Sequence, residues 1–306
     1  MRGQAPFATR RSFVAGGASI GLAGQFLTGL ALAACGRSKP NAAPTADDSG
    51  PTQGTLQWAM AGDWRAADRP QDRWRHPEQT LLFFGLGPGA TVVEVWPGKG
   101  YWSEILAPYL ARNDGVLYAA NFQLGPHADP AQAEIVRRFK ERFDGDHKLY
   151  GTLKMTQFGP TSGPVAEAGA ADLVLFTNTV NAWMGDGLVD KAFRDAFAAL
   201  KPGGVLGVEQ HRANPDQVQD PAATSGYVSE AYVKKLADEA GFMFSASSEI
   251  NANPKDTKDH PFGVWTLPPT RLSAPRGQPD NPNFNHAKYD LIGESDRMTL
   301  KFRKPR

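Results

Sequence analysis

Apolar positions along this chain change period in a regular way. Thr91 to Trp96 is β-branched and almost wholly apolar, the pattern of a strand covered on both faces. Glycines and a proline follow. Tyr101 to Ala111 then sets Trp102, Ile105, Leu106 and Tyr109 at helical spacing, and Gly115 ends that helix. Val116 to Phe122 reads as a second strand, and Pro130 opens a helix over 131–143 with Ile135, Val136, Phe139 and Phe143 on one stripe. Leu153 to Phe158 is a weaker third strand, and Asp172 to Thr177 is a clear fourth. Val189, Ala192, Phe193, Ala196, Phe197 and Leu200 mark the next helix, after which Pro202-Gly203-Gly204 turns the chain into a fifth strand, Val205 to Glu209. Ser229 caps a helix with Tyr232, Val233, Leu236 and Ala240 inward, ended by Gly241. Segments 242–250 and 298–303 are the last two strands.

Strands alternating with helices imply an α/β fold, a mainly parallel sheet joined by right-handed crossovers. Between the last two strands, residues 251–296 are Pro/Asn/Asp-rich and long, so they predict either a lid or a poorly ordered excursion. The folded domain is expected to cover residues 57–306, with order beginning near Leu56-Gln57-Trp58. Residues 36–56 are Ser, Pro, Ala, Asp and Gly with almost no large apolar side chain, which predicts a disordered linker.

The first 35 residues differ from the rest. Arg2, Arg10 and Arg11 precede an uncharged run from Ser12 to Ala34 rich in Gly, Ala and Leu, which is the pattern of an export signal. Thr9-Arg10-Arg11-Ser12-Phe13-Val14 resembles a twin-arginine signature, and Leu32-Ala33-Ala34-Cys35 resembles a lipoprotein cleavage box. Cleavage there would leave Cys35 as a lipid-bearing N-terminus and the domain in the periplasm or cell envelope. An uncleaved membrane anchor is the competing reading, disfavoured because Gly16, Gly17, Gly21, Gly24, Gln25 and Thr28 make the run weakly apolar. Cys35 is the single cysteine, so no disulfide can form within the chain, as suits a protein that folds before export. Loss of three arginines with the signal leaves a near-neutral domain, given 33 basic and 32 acidic residues in all. No basic stripe points to nucleic acid, and Arg297, Lys301, Arg303, Lys304 and Arg306 read as a solvated strand edge. His76, His127, His147 and His286 lack ligand spacing, so no metal is expected.

The chemistry is carried by Val93-Glu94-Val95-Trp96-Pro97-Gly98-Lys99-Gly100-Tyr101, a buried strand ending in a Gly-x-Gly turn that starts a helix. Glycines there let a backbone approach a ligand closely. A dinucleotide fingerprint would need a third glycine where Ser103 stands and an acid where Asn121 stands, so hydride transfer is disfavoured. The segment resembles motif I of class I S-adenosylmethionine-dependent methyltransferases, with Glu94, Gly98 and Gly100 in register and Trp96 in place of the first glycine. Leu200 to Leu206 resembles the turn before the fifth strand of these enzymes. Arg75-His76-Pro77-Glu78 with Phe83-Phe84-Gly85-Leu86, Val264-Trp265-Thr266-Leu267-Pro268-Pro269 and Gly293-Glu294-Ser295-Asp296-Arg297-Met298 are similar to a group of bacterial predicted, exported methyltransferases.

The resemblance covers residues 57 to 306. It implies a seven-stranded Rossmann-like sheet with helices on both faces and a reversed C-terminal β-hairpin. It also implies S-adenosyl-L-methionine as cofactor, with Gly98 and Gly100 flanking its methionine end, Glu94 structuring the turn, Trp96 beside it and Asn121 where an acid normally holds the ribose. Methyl transfer is an in-line displacement, so alignment dominates. Asn178, with Asn181 nearby, follows the fourth strand, and Glu209-Gln210-His211-Arg212 follows the fifth. His211 is the candidate general base because imidazole titrates near neutrality, and Asn178, Glu209 and Trp183 are candidates to orient or stack on a small-molecule acceptor. His260 could belong to a closing lid. The alternative is a lipid-anchored binding or scaffold protein that keeps the fold without catalysis, motivated by Trp96, Asn121 and the compartment.

Overall fold

The computed structural model describes residues 50–306 apart from residue 127. The expected signal segment with Cys35, most of the expected linker and His127 lie outside the described residues. Three helices precede the sheet: α1 (Leu56–Ala61), α2 (Asp72–Arg75) and α3 (Pro77–Phe84). There follow β1 (Thr91–Val95), α4 (Ser103–Ala111), β2 (Val116–Phe122), α5 (Pro130–Asp144), α6 (His147–Tyr150), β3 (Lys154–Phe158), β4 (Ala171–Thr177), α7 (Val180–Gly185), α8 (Val189–Ala199) and β5 (Leu200–His211). The chain continues through α9 (Glu230–Glu239), β6 (Met243–Ser248), the short β7 (Pro261–Val264), α10 (Ala287–Ile292) and β8 (Arg297–Arg303). No helix among the described residues is long and apolar enough to cross a membrane.

Seven strands form one sheet in the order β3-β2-β1-β4-β5-β8-β6. The first five strands pair in parallel, and β8 runs antiparallel to both β5 and β6. This is the seven-stranded Rossmann-like sheet that the resemblance implies, with its reversed C-terminal hairpin. Strand alternation splits the core in two. Val93, Val95, Val174, Phe176, Leu206 and Val208 pack on α8 and α9. Val92, Leu173, Leu175 and Val205 pack on the other side against Leu81, Phe84, Ile105 and Leu106. Each such buried side chain contributes about 1.5–3 kcal/mol. Close approach of α3 depends on Gly207, where an added Cβ would lie 2.6 Å from the Phe84 ring.

Local chemistry explains two features that periodicity alone would not. Pro108 lies inside α4 and has no N–H, so the carbonyl of Glu104 loses its helical donor. The Trp64 indole supplies the missing bond, donating to Glu104 O at 3.0 Å, and so ties the N-terminal block to α4. The 251–296 segment has little regular structure, yet Asn251, Asn253, Asp256 and His260 are buried. Its polar side chains take over the backbone's hydrogen bonding: Asn253 Nδ2 donates to Ile292 O and Glu294 O at 2.9 and 2.7 Å.

The C-terminal strand corrects an expectation. Arg297 is not on a solvated edge, because β8 lies between β5 and β6 and the side chain is 1% exposed. Two buried carboxylates account for its burial: Glu209 Oε1 lies 3.0 Å from Nε and Glu294 Oε2 lies 2.7 Å from Nη1.

Candidate functional site

The carboxyl ends of β1, β2 and β4 meet at one side of the sheet, where open α/β folds hold ligands. At the end of β1, Trp96 adopts a left-handed backbone conformation, φ 54°, followed by Gly98 at 58° and Gly100 at 94°. Asn178, at the end of β4, is also left-handed, φ 56°. Its N–H donates to Glu209 O at 2.7 Å, which fixes the bend. Non-glycine residues rarely take this conformation, and a bulky indole least of all. Two of them at the ends of adjacent strands mark a place where the fold over-determines the backbone. Gly100 N–H closes the turn on Pro97 O at 2.9 Å, and Glu104 N–H on Gly100 O starts α4.

The two glycines have different reasons to be there. A Cβ on Gly100 would lie 2.7 Å from Phe143, so packing against α5 forbids a side chain. A Cβ on Gly98 would meet nothing within 4 Å, so this part of the turn is open.

The Trp96 indole is pinned, its Nε1 donating to Phe158 O at 2.9 Å. Phe122, Phe158 and Trp183 surround it, at ring-centroid distances of 4.6, 5.9 and 5.7 Å. The indole does not close the hollow. With Phe122 it walls one side of a cavity of about 510 Å³ whose polar lining includes Asn178, Thr179, Asn181 and Asp186. That volume falls in the range of small-molecule sites.

Glu94 is fully buried beneath the turn, accepting a hydrogen bond from Ser103 Oγ at 2.6 Å. Burial pushes its carboxyl up to about 7, and the Ser103 bond opposes that shift. Its Oε1, Asn121 Oδ1, Asn178 Oδ1 and Thr179 Oγ1 are buried without a partner. Of these four residues, Asn178 and Thr179 line the cavity, while Glu94 and Asn121 do not.

Of the expected site residues, the structure brings Trp96 and Asn178 to the cavity. Gly98 and Gly100 form the turn beside it, with Glu94 below. Asn121 is a correction: it is 2% exposed and its Nδ2 points to Ala119 O at 3.3 Å, so Phe122 lines the cavity where a ribose-holding side chain was expected. Trp183 is wholly buried in the aromatic cluster and cannot stack on an acceptor.

His211 and Glu209 are likewise not poised as predicted. Burial, then the cations of Arg297 and Arg75, hold His211 down to about 3, and its Nδ1 lies 2.6 Å from Ser295 Oγ. A ring that resists protonation this strongly is a poor general base at neutral pH. Glu209 is committed to Arg297. Among the cavity residues that sequence reasoning missed, Trp265 and Arg276 come from the 251–296 segment, and Phe122, Gln132, Asp186 and Thr224 from earlier in the chain. The signal of Trp265 and Arg276 was an aromatic and a cation in an otherwise polar, Pro-rich stretch. No group of three or more residues suited to a metal occurs among the described residues.

No protein-family model matches the chain, and no curated protein does. In fold it is similar to the 4+2 cyclase SpnF, at 16% identity over 80% of this chain and 85% of that one, TM-score 0.50. A SAM-dependent methyltransferase from Aquifex aeolicus is similar at 20% identity over 61% of this chain and 91% of the other, TM-score 0.46. A possible exported protein from Bordetella parapertussis is similar at 19% identity over 78% and 68%, TM-score 0.45. At these identities the likeness is one of fold.

Proposed function

We propose that this chain binds S-adenosyl-L-methionine at the ends of β1 and β4 and transfers its methyl group to a small-molecule acceptor. One observation carries the reading: at the strand ends of a Rossmann-like sheet, an open left-handed turn at 96–100 adjoins a 510 Å³ cavity lined by Trp96, Phe122, Asn178, Thr179 and Asn181. The residues present fit the cofactor. Gly98 leaves its backbone accessible to the methionine end, and Trp96 with Phe122 offers an aromatic wall to a planar base. The cofactor supplies an electrophilic methyl group, and the chain's own part is to bind, orient and exclude water. Asn178 and Thr179 are polar residues that line that space.

Titration calorimetry with S-adenosylhomocysteine tests the reading, with micromolar binding expected. Gly98→Val should remove that heat while leaving the protein folded. Unchanged affinity in this variant would take Gly98 out of the site, and no heat from the parent protein would end the reading.

A second reading, a non-catalytic binding or scaffold protein, is favoured by one specific observation: both titratable candidates at the end of β5 are withdrawn, Glu209 into an ion pair and His211 into a weakly basic state. Cofactor binding without label transfer from methyl-tritiated S-adenosyl-L-methionine to any envelope extract would favour it. For location, we propose twin-arginine export and lipid attachment at Cys35, on the residues of the first 35 positions. Cys35→Ser should release the protein from membranes, and continued membrane attachment would refute the anchor.

A further inference from the structure

We propose that Asn181 selects what enters the strand-end cavity, and that its amide, held one way round by Gln210, selects a carbonyl oxygen on an uncharged planar molecule. As a statement about the methyl acceptor this rests on the function proposed above, whereas as a binding preference it stands without it.

The orientation follows from backbone groups whose roles are fixed. The Val180 N–H donates to Gln210 Oε1 at 3.0 Å, so that atom is the acceptor of the Gln210 amide. Gln210 Nε2 donates to Gly226 O at 3.3 Å and to Asn181 Oδ1 at 3.1 Å. Because a carbonyl can only accept and a backbone N–H only donate, Gln210 has one way to sit. Asn181 Oδ1 is thereby committed as an acceptor, and its Nδ2 is left holding two N–H donors. The bonds among these groups are buried, where turning either amide over would set donor against donor.

Asn181 is only 7% exposed, yet its Nδ2 has no partner among the described residues. Asn178 Oδ1 and Thr179 Oγ1 also lack partners but are sealed in, whereas Asn181 Nδ2 is not sealed, and Asn181 lines the cavity. A buried side chain with an open, unpartnered donor on a cavity wall is a hydrogen-bond subsite for an acceptor atom. The rest of the lining sets the rest of the ligand. Trp96, Phe122 and Trp265 border the same space, which suits a flat ring. Asp186 and Arg276, its ionisable residues, are one acid and one cation, so the lining has no net charge with which to favour an ion.

The probe is N-methyl-2-pyridone, which carries a carbonyl acceptor and no N–H or O–H. Ortho-xylene has nearly its shape without the oxygen, and ortho-toluidine puts an amine donor in the oxygen's place. In an NMR titration of isotope-labelled protein without cofactor, N-methyl-2-pyridone should shift the Asn181 side-chain amide signals and bind about tenfold more tightly than either analogue. Asn181→Asp keeps an oxygen for Gln210 but offers the cavity no donor, so the preference should pass to ortho-toluidine. Gln210→Glu removes the donor that faces Asn181, whose amide should then turn its nitrogen to the new carboxylate and its oxygen to the cavity. The same reversal would thus arise at a residue that does not line the cavity. Should Gln210→Glu fail to fold, the wild-type series and Asn181→Asp still decide the matter. No binding at millimolar N-methyl-2-pyridone, equal affinity for all three probes, or an unaltered preference in Asn181→Asp would overturn the proposal. Displacement of the probe by S-adenosylhomocysteine would also overturn it, by assigning Asn181 to the cofactor. Probe binding by a protein that gives no heat with S-adenosylhomocysteine would leave the subsite standing and end only the cofactor reading.

Discussion

Replacing Glu94 by Gln isolates the energetic consequence of a carboxyl sealed beneath the turn. In the folded protein this group is pushed from 4.5 up to about 7, with burial the larger cause and the Ser103 hydroxyl opposing it. Between those values the folded chain keeps a proton that the unfolded chain has released. Stability from this source is therefore complete below pH 4.5, falls as pH rises toward 7, and is lost above it. At roughly 1.4 kcal/mol per pH unit the interval amounts to about 3 kcal/mol. Glutamine mimics the protonated acid, and its oxygen can still accept from Ser103, but its amide donors lie where Oε1 now has no partner. That adds a pH-independent cost of about 1–2 kcal/mol. Urea unfolding followed by tryptophan fluorescence should show the variant less stable at pH 4.5 and level with or above wild type at pH 8. The difference between the two proteins should swing by about 3 kcal/mol across that range. Burial also raises Glu209, but that residue is common to both proteins and cancels in the difference. Parallel pH profiles for the two proteins would refute the argument.

Three further outcomes are expected. Gly100→Ala should lower stability by about 2–4 kcal/mol, combining left-handed strain with a Cβ driven into Phe143, and thermal unfolding reads the loss. Arg297→Met strands Glu209, whereas Glu294 keeps Arg75, and should cost about 3–5 kcal/mol in urea unfolding, with a loss under 1 kcal/mol counting against the buried pair. The His211 ring proton shifts in an NMR titration should stay flat from pH 5 to 8, because burial and two arginines hold the group down to about 3, and a step near 6.5 would restore it as a base.

The sheet was legible because its strands are β-branched apolar runs separated by helices whose stripes repeat at 3.6 residues, and that periodicity survives any detail of packing. The turn at 96–100 was legible because paired glycines closing a buried strand are needed where a backbone bends sharply or admits a close neighbour. What could not be read is direction. Asn121 looked like a ribose partner because it closes β2, but alternation along the strand turns it inward and Phe122 outward. His211 carries an imidazole's ordinary chemistry in the sequence and loses it to neighbours brought from residues 75 and 297. Arg297 matched the alternation of an exposed edge, and its buried acids come from residues 209 and 294. The 251–296 segment hid its contribution for a related reason: its order comes from asparagine and aspartate side chains bonded to distant backbone, which leaves no period to detect.

The position of β8 has a bearing on how the molecule assembles during synthesis. Residues 297–303 bridge β5 and β6, yet they emerge from the ribosome after both. Until they arrive, β6 has no hydrogen-bonded neighbour in the sheet and one side of β5 stands open, an edge that invites mispairing with other chains. Completion of the sheet is thus a late, non-local step that closes a loop of nearly fifty residues between β6 and β8, and slow nucleation is the kinetic expectation. A ribosome stalled before residue 297 would display a template for aggregation rather than a nearly finished domain.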